Sequence, residues 1–275
     1  MDDPNSERVP LEDVVQRGKL KCSLEEGALR LAQQEYPELE LGRSLAEFDT
    51  FADRVRPLIS DGAAAPEIIG ATSDVLFREM GFRGNDEDYY AAENSFLNVV
   101  LDSRRGIPIS LAVVYCAVAR RLGLELQGTA FPAHFLLRSS RPGWPILIDC
   151  FHGGRILTEE DCRARLATVG WDTWDPRVVG PISDLMVLRR MLNNLKQIYL
   201  KRRDWERLRR TTLQMFVVTP RDYDELFTLG VALAGVGRRS DAIAHIERFL
   251  ELRPDAANRN AAERILDDLQ ERGPT

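Results

Sequence analysis

The sequence predicts an α+β protein that is mostly helical, with a small antiparallel sheet in its middle and a helical repeat segment at its C-terminal end. Three observations predict this. Apolar residues recur at helical spacing through the N-terminal third. After Gly123 the pattern shifts to short apolar runs divided by Gly and Pro. Beyond residue 180 it is helical again, with an internal period of 34 residues.

Residues 1–22 read as a loosely ordered lead-in. Ser23-Leu-Glu-Glu26 matches a capping box, in which the hydroxyl and the carboxylate satisfy the first free amides of a helix. Leu24, Ala28, Leu31 and Ala32 then recur at helical spacing until Pro37. A second helix runs through Leu45, Phe48, Phe51, Ala52 and Val55 to about Pro57, and the stretches Pro66–Met80 and Asn94–Leu101 also read as helices. A long apolar helix follows over Pro108–Leu122, closed by Gly123, which adopts the left-handed conformation cheaply. LELQGTAF, AHFLLR and PILIDCF are candidate strands, the third followed by a His-Gly-Gly turn. Thr158–Leu166 returns to helix with a cap and an acidic first turn.

Pro220 and Pro254 lie 34 residues apart, the period of a tetratricopeptide repeat. Aligning on them pairs Leu192 with Leu226, Leu195 with Leu229, Tyr199 with Leu233, Leu208 with Ala242, Met215 with Phe249 and Phe216 with Leu250. The second unit places Gly230 where two helices approach, whereas the first has Lys196 at that position. ANRNAAERILDDLQER reads as a capping helix. The expected domains are a helical layer plus core over 23–180 and the repeats over 181–275.

Of the 275 residues, 44% are hydrophobic and 29% charged, the balance of an ordinary globular protein. The net charge of −6 argues against a nucleic-acid partner, because phosphate contacts are made mostly by Lys and Arg. The acidic N-terminus lacks a signal-peptide pattern and no apolar run is long enough to span a bilayer, so a cytoplasmic location without a membrane partner is expected. Cys22, Cys116, Cys150 and Cys162 form no CxxC pair, and His152 and His245 show no metal-ligand spacing. No cofactor, metal or disulfide framework is indicated.

Cys116, His134 and Asp149 occur in the order of a thiol-nucleophile triad. If the helix opens at Pro108, where a first-position proline is favourable, Cys116 lies eight residues in, about 12 Å along the axis. That is beyond the first turn, where the helix dipole acts on a thiol. Its neighbours at helical spacing, Ala112, Val113, Ala119 and Arg120, are largely apolar, so Cys116 reads as core. Cys150 faces away from Asp149 along its strand and reads the same way.

The run Gly106–Gly123, with His134 and Asp149 on the strands beyond it, resembles the core of the transglutaminase-like (papain-like) superfamily. There the nucleophilic cysteine opens the core helix shortly after a glycine, and the histidine and aspartate come from the following strands. By this resemblance His134 and Asp149 stand at the histidine and aspartate positions. Pro108, which has no nucleophilic atom, stands at the cysteine position. NSFLNVVLDSRRGIPISLAVVY, GTAFPAHFLLR and IDCFHGG carry a closer resemblance, over residues 40–255, to the SirB family of bacterial transglutaminase-like proteins. That family couples the core to C-terminal tetratricopeptide repeats and brings no established activity with it.

The resulting expectation is a pseudoenzyme: a protein-binding or scaffolding module whose partner is a protein or peptide. Asn193, Asn194 and Gln197, polar residues on the first repeat's leading helix, are candidate contacts. The alternative is a hydrolase or acyltransferase using Cys116 or Ser110 with His134 and Asp149. Ser110 is the hydroxyl nearest the proline, but two residues turn it about 200° around the helix. The sequence leaves oligomeric state open.

Overall fold

The computed structural model describes residues 8–271 apart from 133, 140–144 and 172. The elements in order are β1 (Val15–Gln16), β2 (Lys19–Leu20), α1 (Leu24–Gln33), α2 (Leu41–Val55), α3 (Ala65–Ser73), β3 (Arg83–Gly84), α4 (Leu97–Ser103), β4 (Arg105–Gly106) and α5 (Pro108–Arg121). There follow β5 (Gln127–Gly128), β6 (Leu137–Ser139), β7 (Ile146–Asp149), β8 (Arg155–Leu157) and α6 (Glu159–Ala167). The last five are α7 (Asp184–Arg202), α8 (Trp205–Val218), α9 (Asp224–Gly235), α10 (Arg239–Leu252) and α11 (Arg259–Glu271). No described helix is long and apolar enough to cross a membrane. The chain divides into two compact units, one of Cys22–Met191 and one joining the described residues up to Lys21 with those from Leu192 onward.

The first unit is organised by α5. Its sequence is apolar on nearly every side, the mark of a helix meant for full burial, and each residue from Pro108 to Ala119 except Cys116 is buried. Helices α1 to α4 pack around it. Ser23 caps α1 by accepting from the Glu26 amide at 3.3 Å. Glu25, buried in the next position, is neutralised by Arg120 and Arg121 at the far end of α5. Tyr115 Oη donates to the Ile69 carbonyl at 2.7 Å, tying α5 to α3. Beyond Ser73 the helix widens into a π-helical stretch over Asp74–Glu79.

The main sheet is antiparallel in the order β5-β6-β7-β8, with Leu137 opposite Ile148 and Ile148 opposite Ile156. The three expected strands are joined by β8, a run too short to show alternation in sequence. Thr158 and Asp161 form a reciprocal capping box at the start of α6. Leu136, Leu147 and Leu157 pack with Cys162 and Leu166 of α6 and with Val178 and Val179 into one cluster.

The boundary between units falls inside α7, after the position expected from sequence. The first half of that helix is built into the sheet unit: Arg190 donates to the carbonyls of Thr129 at 3.0 Å and His134 at 2.7 Å. A side chain on Gly128 would meet Phe135 and Val187.

In the second unit α8, α9, α10 and α11 stack in succession. Four of the six paired repeat positions are buried in both units: Leu195, Tyr199, Leu208 and Met215, and with them Leu229, Leu233, Ala242 and Phe249. A Cβ on Gly230 would lie 2.5 Å from Ile246 Cγ1, so the glycine is a requirement of close helix approach. At the equivalent point Lys196 extends to Glu225 Oε1 at 2.6 Å. The segment expected as a lead-in instead carries a 3-10 turn over Pro10–Asp13 and the β1–β2 hairpin, turned by Arg17 and Gly18 at positive φ. Leu11 is fully buried and the turn packs on α8. Its apolar residues Val9, Leu11 and Val14 show no regular period, so the sequence does not advertise them.

Candidate functional site

Asp149 ends β7 and is completely buried. Its carboxylate turns the chain that follows by accepting from the amides of Phe151 at 3.2 Å and His152 at 3.4 Å. This local turn, completed by Gly153 and Gly154 at positive φ, brings His152 back over the strand end. His152 Nδ1 lies 2.8 Å from Asp149 Oδ2, and His134 Nε2 lies 2.9 Å from Oδ1. Arg165, on α6, adds its guanidinium 3.1 Å from Oδ2.

His134 sits just ahead of β6 rather than within it, so strand alternation does not set its direction. The Arg190 bond to its carbonyl and the Asp149 contact do. The ring stands edge-on to Phe151, which is in turn edge-on to Tyr89. Gly84 of β3 makes room, since a Cβ there would collide with the Phe151 ring.

Two imidazoles therefore share one carboxylate. Burial pushes the Asp149 carboxyl up, but the hydrogen bonds and charges of His134 and His152 outweigh it and hold it at about 2. The ionised carboxylate accepts from both rings and fixes their tautomers. The His134 side chain is only 8% exposed, while that of His152 is 53% exposed.

The other candidate residues do not join this group. Pro108 is buried in the first turn of α5. The Ser110 hydroxyl is consumed locally: it donates to the Asn94 carbonyl at 2.6 Å and accepts from the Ile107 amide at 3.1 Å. A side chain on Gly106 would strike it at 2.7 Å. Cys116 Sγ points to the Leu126 carbonyl at 3.9 Å, and burial, assisted by Asp184, Glu25 and Glu125, pushes its thiol far up. Burial does the same to Cys150. His245 bonds to the Asp241 carbonyl one turn back along α10.

His152, read from sequence as a histidine without metal-ligand spacing, lies with His134 and Asp149 in a cluster that has the composition of a metal-ligand set. The readable signal was the three-residue step from Asp149 to His152 across a Gly-Gly turn. Arg165 left no signal, because only the packing of α6 on the sheet brings it there. Asn193 and Asn194 are half-buried on α7 and Gln197 is exposed. A cavity of about 590 Å³ within the second unit is lined instead by Leu213, Phe216, Leu229 and Leu233 with Arg209 and Arg238.

A buried core helix, a short antiparallel sheet and a His–Asp pair at the end of its strand β7 define a transglutaminase-like protein, and the model of the transglutaminase-like superfamily matches residues 43–193. A tetratricopeptide-repeat model matches residues 195–267. The chain belongs to the UPF0162 family, the SirB-like branch of this superfamily: it is 33% identical over 247 residues to a UPF0162 protein of Xylella fastidiosa (strain Temecula1), covering 88% of each chain. A UPF0162 protein of Vibrio cholerae is 29% identical over 244 residues, 84% of this chain and 87% of the relative. F-box only protein 21 of Mus musculus is 33% identical over 154 residues, 53% of this chain but 24% of that protein. No solved structure matches.

Proposed function

We propose that the chain is a non-catalytic transglutaminase-like protein that binds a protein or peptide through its repeat unit. The observation that carries this reading is the state of the nucleophile segment. By the resemblance Pro108 stands at the superfamily's cysteine position, Ser110 spends its proton and one lone pair on backbone groups, and the Cys116 thiol is held protonated. An orienting His–Asp pair without a nucleophile does not perform acyl transfer. The repeat-unit cavity, in which Leu213, Phe216, Leu229 and Leu233 alternate with charged side chains of both signs, suits an extended segment carrying a large apolar side chain among polar groups. Four unpaired thiols suit a reducing compartment, and the proposal sets the protein in the cytoplasm.

A photo-crosslinking residue at Phe216 tests the binding reading. A single crosslinked peptide that disappears with Leu233→Glu supports it. Crosslinks that ignore this substitution overturn it. A cysteine- or serine-directed activity probe that labels Cys116 or Ser110 only while His134 is intact would restore the enzyme reading.

A further inference from the structure

Two of the chain's three histidines converge on a single buried carboxylate, an economy that the binding role above does not use. We propose that His134, Asp149 and His152 form a site for a borderline divalent cation of the zinc type. One ligand atom from each residue lies within 4.8 Å of the others. The two nitrogen-to-oxygen separations are 2.9 and 2.8 Å. The rings face different oxygens, His134 facing Oδ1 and His152 facing Oδ2, so a cation held between them takes both oxygens of the carboxylate.

Loading requires little rearrangement. Each imidazole nitrogen that faces Asp149 becomes a ligand once the ring's proton sits on the opposite nitrogen. The more exposed His152 supplies the freedom to close the widest gap, and its exposure leaves a route in from solvent and room for a water as a further ligand. Asp149 is held by the Phe151 and His152 amides, which fix the carboxylate as an outer shell would. Arg165 is the competitor. Its guanidinium touches the same carboxylate oxygen but its side chain is 31% exposed, so an arriving cation can displace it into water. The site thus exchanges one cation for another.

The test uses the full chain with any affinity tag removed, stripped with chelator and titrated with Zn²⁺ by calorimetry and with Co²⁺ by its visible spectrum. One cation per chain is expected. His152→Gln and His134→Gln should each weaken binding by about 100-fold. His245→Gln should leave it unchanged. Arg165→Gln, by removing the resident charge, should tighten binding by about tenfold. His152 is at the surface, so its variant keeps the fold, which circular dichroism verifies. Absence of saturable binding, binding that survives His152→Gln, or weaker binding in Arg165→Gln overturns the proposal. None of these results bears on crosslinking at Phe216, so the site and the binding role fail separately.

Discussion

Lys196 Nζ donates to Glu225 Oε1 across 2.6 Å, with the two side chains only 14% and 4% exposed. The first repeat thereby fills with an ion pair the point where the second repeat needs Gly230. Breaking such a pair strands the other charge, so Lys196→Met should destabilise the unit by about 3 kcal/mol. The double variant Lys196→Met/Glu225→Leu should recover most of that loss. Urea unfolding of the four proteins of this cycle gives the coupling directly.

Ser110 is predicted to be structural. Ser110→Ala leaves the Ile107 amide and the Asn94 carbonyl without their partner and should cost about 1–3 kcal/mol of unfolding free energy. Labelling by serine-directed probes should be the same in the variant and the parent. Loss of a label on substitution would contradict the assignment.

Burial holds the thiols of Cys22 and Cys162 at about 11 and pushes those of Cys116 and Cys150 well above their ordinary value. A raised thiol pKa keeps the unreactive protonated form through neutral pH. Alkylation of the folded protein should therefore be slow at pH 7 and rise nearly tenfold per pH unit through pH 10. In denaturant the rate should level off about two units lower, where an unperturbed thiol ionises. A native-state plateau below pH 9 would refute this effect of burial.

Leu11 tests the amino-terminal segment. It is fully buried, and Leu11→Ala should cost about 2–5 kcal/mol, read as a lower denaturant midpoint of the full chain. A freely moving lead-in would give no change.

The helices and the repeat were legible because period and caps are local properties: Ser23, Thr158 and Gly230 each announce their roles within a few residues. The His134–Asp149 contact was legible only through a resemblance, since nothing between those positions marks them as neighbours. His152 was missed because a histidine beside two glycines looks like turn chemistry until Asp149 is seen to fold the turn onto itself. Arg165 and the first half of α7 were missed for a related reason. Their partners, the Asp149 carboxylate and the carbonyls around His134, lie far away in sequence, and no periodicity encodes that distance.

The second unit is discontinuous, its amino-terminal turn and its helices separated by the whole of the first unit. On the ribosome the strip carrying Leu11 and Val14 emerges long before α8 exists to receive it. The entropy of closing so long a loop grows only slowly with its length, but the wait is imposed by translation itself. Until that wait ends, Leu11 and Val14 have only water or a chaperone to rest against, and they can dock only once α8 has been made.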